Sequence, residues 1–406
     1  MNTNLTRRSF LTRSTVMGCS LAASPLLTPV TFAAAPWDTR LVVIVLRGGM
    51  DALDVVQPYG DPAYSTLRQT LSGGPAAGGL DLDGFFAMHP ALAPLMPLWQ
   101  QAELGFVHAV STPYRDKRSH FDGQDLLEAG TAGPGGERDG WLNRMLQSLP
   151  GTDRRTAFAL GQGEMKLLHG DAPVSDWSPE ASLALSPQAE RLISLVMESD
   201  PLFHAALGDA LELSQQEPVE PASDLAEDTM MQSAPRQQGA RGRHRRIAEF
   251  AAEQLRGDSR VASFSLTGWD THNRQKAGMN AALGRLSDTI LTLRAGLGAE
   301  IWGKTAIVAM TEFGRTAREN GTQGTDHGTG GAMVLAGGAI RGGRVHGRWP
   351  GLDEANLYAR RDLMPTGDVR AATAWMLSGL TGLDRAALES FVFPGVDMGI
   401  DPGLLL

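Results

Sequence analysis

The chain predicts an α/β fold, with a mostly parallel sheet and helices on both of its faces. Three observations carry this. Short apolar runs rich in Val, Ile and Ala show no polar alternation, as in strands buried on both faces. They alternate along the chain with segments of helical period, the pattern of strand, helix and strand again. Polar residues able to do chemistry follow several of those runs, at the strand ends where ligands bind in parallel sheets.

The elements follow in order. Leu41–Leu46 is a continuous β-branched run and reads as a buried strand, closed by the turn Arg47-Gly-Gly-Met-Asp51. Leu104–Val110 is a second strand. The polar loop Ser111–Arg118 leads into a helix from Ser119, an N-cap residue with Asp122 placed three positions on. Trp141–Leu146 continues as helix, and Val261–Leu266 is a third strand. Leu283, Leu286, Ile290, Leu293 and Leu297 recur at spacings of three and four, the stripe of an amphipathic helix. Thr305–Met310 and Ala332–Ala336 are the fourth and fifth strands. The middle differs: residues 215–246 are rich in Gln, Glu, Pro, Ser and Arg without apolar period. They read as a flexible loop within a helical insertion over residues 145–250.

The N-terminus reads as an export address. Thr6-Arg-Arg-Ser-Phe-Leu11, an apolar run to Phe32 and Ala33-Ala-Ala35 make residues 1–35 a twin-arginine signal peptide. The expected partner is therefore the twin-arginine translocase, the destination is the periplasm or the medium, and residues 36–406 form a single mature domain. Cys19, the one cysteine, leaves with the signal, so the mature chain has no disulfide and rests on its core. The formal charge is −9; removing Arg7, Arg8 and Arg13 gives −9 − 3 = −12. Such a surface repels nucleic acid phosphates. No later segment approaches the roughly 20 apolar residues of a membrane span.

Two short motifs concentrate the chemistry, Gly268-Trp-Asp-Thr-His272 and Gly324-Thr-Asp-His-Gly328, with Thr311-Glu-Phe-Gly-Arg315 between them. Asp270 and His272, two apart in an extended segment, share a side. With Glu312 and His327 they are the side-chain types a bound cation needs. Imidazole and carboxylate together suit Zn, Mn or Fe, whereas an all-oxygen set suits Mg or Ca. Asp51 and His120 likewise follow strands by a few residues. His108 reads as a core residue within its strand, and His89, His169, His204, His244 and His346 fall in no ligand-like cluster.

These stretches carry a resemblance. Strand plus Thr311-Glu-Phe-Gly314, and Gly324-Thr-Asp-His-Gly328 before an apolar strand, are similar to the metal-ligand segments of the alkaline phosphatase superfamily, sulfatases included. More closely, the chain resembles the exported bacterial family DUF1501. The stretches that match are Leu46–Asp54, Ser119–Asp125, Asp270-Thr-His272 and Glu312–Thr316 through His327. The resemblance implies an alkaline phosphatase-like three-layer sandwich. It further implies Asp51 as the ligand after the first strand, Asp270 and His272 on one metal, and Glu312 and His327 on another or a shared one. Ser119 takes the place of the nucleophile at a helix N-terminus, with His120 as the alternative or as a further ligand. Arg47 stands where the superfamily has its first aspartate, and Glu312-Phe313 replaces an Asp-His pair. Sulfatase chemistry through a modified Cys or Ser is excluded, because Ser119 is followed by His-Phe-Asp-Gly.

Two readings result. The first is an exported metal-dependent hydrolase of phosphate esters using one or two divalent cations (Zn, Mn, Fe or Ca). Ser119 or a metal-activated water attacks, and Arg315, Arg115 or Arg118 holds the oxygens of a small anionic ester. The second is a catalytically inactive, alkaline phosphatase-like periplasmic binding or assembly protein, suggested by the ligand missing at Phe313.

Overall fold

The computed structural model describes residues 37–71, 73–115, 118–133, 139–161, 165–179 and 236–406. The expected signal segment, and residues 215–235 of the expected loop, lie outside the described residues. Among the described residues no helix is long and apolar enough to cross a membrane.

Beside a small three-stranded sheet of Val56–Gln57, Leu80–Asp81 and Ala87–Met88, the strands of the main sheet are β1 (Arg40–Arg47), β2 (Leu104–Ser111), β3 (Ala157–Leu160), β4 (Ser175–Trp177), β5 (Val261–Thr267), β6 (Thr305–Met310), β7 (Gly331–Ala336), β8 (Val345–His346) and β9 (Gly367–Asp368). They form one mixed sheet, in the order β8-β2-β7-β6-β1-β5-β3-β4, with β9 also paired to β2. The neighbours β6, β1, β5, β3 and β4 are parallel; β7 alone runs antiparallel, between β2 and β6. The five apolar runs read from the sequence are the five central strands.

The alternation of side chains along β1 shows why no polar face exists. Val42, Ile44 and Leu46 enter one buried cluster, while Leu41, Val43 and Val45 enter another on the opposite face. The first cluster includes Ile247, Phe250 and Leu255 of a helix spanning Arg236–Arg256, and Leu286, Ile290 and Leu293 of a longer one spanning Gln275–Trp302. The second takes in Trp141, Leu142 and Met145 from helix Trp141–Gln147, and Met376, Leu377 and Leu380 from helix Val369–Thr381. Helix, sheet and helix are thus three layers. Apart from the short helices Tyr64–Leu67, Met96–Gln100 and Arg385–Ala387, the α-helices in chain order are α1 (Ala52–Val55), α2 (His120–Ala129), α3 (Trp141–Gln147), α4 (Arg236–Arg256), α5 (Gln275–Trp302) and α6 (Val369–Thr381).

The structure departs from the sequence reading in the middle of the chain. The segment expected to be a helical insertion supplies two sheet strands, β3 and β4, and residues 236–246 of the expected loop begin α4. Both strands are too short to display a period, and β3 is fully buried.

The sheet's polarity assembles the site. Arg47 of β1 pairs with Thr267 of β5, and Val45 with Met310 of β6, so Gly48–Asp51, Trp269–His272 and Thr311–Glu312 emerge along one edge. Because β7 is antiparallel, its beginning lies at that edge, with Gly331 opposite Val110 near the end of β2. The loop before β7 therefore brings His327 to the place where the loop after β2 leads to His120.

Candidate metal centre

His120 opens α2. Ser119 is the cap of that helix: its backbone is extended and its Oγ accepts from the Asp122 amide at 3.3 Å. Asp270 and His272 follow β5, and His327 is held by an antiparallel bridge between Arg315 and His327. Gly314 donates to the Thr329 carbonyl and Thr316 to that of Asp326 within the same bridge.

Four side chains meet. Asp270 Oδ1 is 3.1 Å from His272 Nε2 and 3.4 Å from His327 Nε2, and Asp270 Oδ2 is 3.5 Å from His120 Nε2. The two nitrogens His272 Nε2 and His327 Nε2 are 2.9 Å apart. Ligand atoms of His120, Asp270 and His327 all fall within 4.8 Å of one another.

The other nitrogen of each ring sets its proton. His327 Nδ1 faces the Arg118 carbonyl at 2.9 Å, which only accepts, so Nδ1 carries the hydrogen. His272 Nδ1 faces the Asp326 carboxylate at 3.2 Å and His120 Nδ1 faces Glu312 at 2.8 Å, with the same result. In the neutral rings all three Nε2 atoms are then lone pairs converging on a carboxylate. His120 Nε2 is buried with no hydrogen-bond partner. Tetrahedral ligands at about 2.1 Å from an ion stand about 3.4 Å apart, close to the spacings here. Three imidazoles and one carboxylate suit Zn, Mn or Fe, and do not suit Ca, which prefers oxygen. The residues fit a transition-type divalent ion.

Surrounding groups fix the donors. Phe313, in the position where the resembled superfamily has a histidine, packs its ring 5.0 Å from both His120 and His327. The Glu312 hydrogen bond, opposed by burial, holds the His120 imidazole above its ordinary range; burial pushes that of His327 down. Burial would raise Asp270, but the Arg315 hydrogen bond and charge keep its carboxyl below the ordinary range.

Several expected site residues take other places. Glu312 stands behind His120: it is fully buried and also accepts from Gly48 N, Gln124 and Thr311. Arg315 is 1% exposed and spends its donors on the carbonyls of Gly48, Gly49, Trp269 and Thr325 and on Asp270 at 2.6 Å. It orients Asp270 and has no fork to offer a substrate. Arg115 donates to the carbonyls of Thr112 and Tyr114.

Asp51 is not in the cluster. It caps α1 and forms a buried bidentate pair with Arg68, at 2.6 and 3.0 Å, while Gln275 donates to it at 2.6 Å. Its role is support: Gln275 Oε1 accepts from Thr271 and Thr325, so one amide ties the Asp51 pair to both histidine loops. Arg68, Gln275, Gln124 and Asp326 were not singled out from sequence. Asp326 alone carried a signal, its place beside His327.

The sequence profile of a family described as "Protein of unknown function (DUF1501)" matches residues 89–384, well over half of the chain. The chain belongs to the DUF1501 family. No curated protein matches it. Among solved structures, this DUF1501 chain is similar to the lipoteichoic acid synthase LtaP from Listeria monocytogenes, at 8% identity over 92% of this chain and 78% of that one, TM-score 0.39. It is similar to the alkaline phosphatase of the Antarctic bacterium TAB5, at 12% identity over 75% and 92% of the two chains, TM-score 0.33. A third, BT1596, a 2-O GAG sulfatase, shares 11% identity over 75% of this chain and 65% of its own, TM-score 0.31.

Proposed function

We propose that this DUF1501 protein is an exported hydrolase of phosphate esters that works with one divalent transition-type ion. The observation that carries the reading is the convergence of three Nε2 atoms, each with its partner nitrogen tied to an acceptor, on the Asp270 carboxylate. An ion held there would supply Lewis acidity to a phosphoryl oxygen and acidify water. His120, His272, His327 and Asp270 would hold it, Arg315 would aim Asp270, and Glu312 would aim His120. Phosphate esters are the substrate class that the sequence resemblance to the alkaline phosphatase superfamily names. Export rests on the twin-arginine pattern of residues 1–35.

Water is the nucleophile in this reading, because Ser119 already serves as the cap of α2. That same engagement favours the second reading, a metal-holding protein that binds a partner without turnover.

Elemental analysis of the whole exported protein, beside Asp270→Ala and His327→Ala, separates these. Stoichiometric Zn, Mn or Fe lost in both variants, with turnover of a phosphomonoester or diester in the parent alone, is the expected result. Full metal without turnover on either ester class moves the assignment to the binding protein. A parent holding less than about a tenth of an equivalent overturns the metal centre.

A further inference from the structure

A cleft of about 290 Å³ opens beside the centre, on the far side of His272. Its wall includes Asp326, whose Oδ1 meets His272 Nδ1 at 3.2 Å, so one imidazole separates the cleft from the converging Nε2 atoms. Arg361, also in the wall, donates to the His327 carbonyl at 3.0 Å. The floor is apolar, from the buried Leu352 and Leu357.

The charges in the wall are three arginines and three acids, but they are not equally committed. Glu319 accepts from Thr70 and Leu71, and Asp326 from Asn320 and His272. Arg318 is exposed and makes no ion pair among the described residues. Arg360 reaches Glu354 only at 3.8 Å, with both side chains more than two-thirds exposed (81% and 72%), a pairing of little strength. Glu354, the third acid, is held only by that long contact, so two loosely committed guanidinium groups face one loosely committed carboxylate over an apolar floor, a surplus suited to a planar or tetrahedral oxyanion.

We infer that this cleft binds a second acidic group of the substrate, a carboxylate or a phosphoryl group, while the reacting ester lies at the metal centre. The inference rests on the hydrolase reading above. It makes the substrate a molecule with two anionic groups, and Arg318 and Arg360 its specificity-determining residues.

The probes are methylphosphonate, with one anionic group, and 4-phosphonobutyrate and 1,4-butanediphosphonate, with two on a chain long enough to pass the His272 ring. They are titrated into the zinc-loaded whole protein and into its Arg318→Ala/Arg360→Ala variant. Expected is binding at least about tenfold tighter for one of the two bifunctional probes, which identifies the second group as carboxylate or phosphoryl. That gain is lost in the variant, with zinc content and methylphosphonate binding unchanged. A gain below about twofold for both probes, or a gain that survives the substitutions, overturns the inference. Failure of the zinc site is seen separately, as protein without metal. The cleft is then judged by citrate titrated into the chelator-treated protein. Binding weakened about fivefold or more in the double variant, but not in Arg348→Ala outside the cleft, upholds the cleft; equal binding or none overturns it.

Discussion

His272 and His327 face each other nitrogen to nitrogen, 2.9 Å apart, although each ring already gives its other nitrogen's hydrogen to an acceptor. Two neutral lone pairs at that distance repel, so the arrangement favours a shared proton or metal ion between them. Ion and proton compete for the same atoms. Titration of chelator-treated protein with Zn²⁺ is expected to release protons, and the affinity to fall steeply from pH 7.5 to 5.5. At His120 the competition begins at a higher pH than for an ordinary imidazole, because the Glu312 hydrogen bond favours the doubly protonated ring; at His327, which burial holds down, it begins at a lower pH. Calorimetry in buffers of different ionisation enthalpy counts the protons; zero released would remove the shared-donor account.

Glu312 and His120 give a second prediction. Glu312→Gln keeps the size of the side chain but weakens its grip on the Nδ1 hydrogen and on three other donors. Outer partners of metal-bound histidines are worth about 10–100-fold in metal affinity. The variant should fold, with affinity reduced by that factor in a competition titration against a chromophoric chelator. Unchanged affinity would leave Glu312 a packing residue.

Asp51 and Asp270 should behave oppositely. Asp51→Asn disrupts a fully buried ion pair with Arg68, and breaking such pairs costs about 3–5 kcal/mol. Metal stoichiometry should persist. Asp270→Asn, by contrast, should lose the ion with a smaller change in urea midpoint, since its side chain is 47% exposed. Loss of metal from both variants would return Asp51 to the ligand set.

Ser119→Ala distinguishes a helix cap from a nucleophile. Loss of a cap costs about 1 kcal/mol of stability and leaves turnover within a few-fold. A loss of about a thousandfold or more in kcat would make Ser119 the attacking group.

The network behind the site titrates. Burial, and after it the neighbouring Asp51 charge, push the Asp54 carboxyl up to about 6. A carboxyl raised on folding binds more proton when folded, so its contribution is fully present below about pH 4 and is lost as pH rises to about 6. Asp54→Asn removes that loss. Urea midpoints should show the variant gaining on its parent between pH 4.5 and 7.5; a gap independent of pH would exclude Asp54 as the cause.

Legibility in the sequence followed direction of information. The five long strands were legible because a strand buried on both faces must be apolar throughout, and Leu41–Leu46 is. Strands β3 and β4 were not, since four and three residues display no period. Asp270, His272 and His327 were legible through their glycine-flanked motifs, and His120 through its place at a helix start. Asp51 misled because its position after β1 fixes where the backbone emerges but not where the carboxylate turns. Its partner Arg68, seventeen residues on, closes the one-turn helix Tyr64–Leu67, too short to display a period. Glu312 and Arg315 were recognised as site residues, yet which of them touch an ion and which hold those that do depends on burial, which the sequence does not display.

The separation of the four converging side chains has a consequence for how the protein comes into being. Arg118 and His327 meet across 209 residues and His120 and Glu312 across 192, so no nascent fragment ending before His327 contains the set. Only Asp270 and His272 are near in sequence, and two donors from a single loop make a weak chelate. A one-residue slip of β7 against β2 would turn its side chains to the opposite face and carry His327 away. An ion captured there would therefore inspect the finished topology: a chain that acquired it would, by that act, have passed a test of correct strand pairing across the sheet's centre.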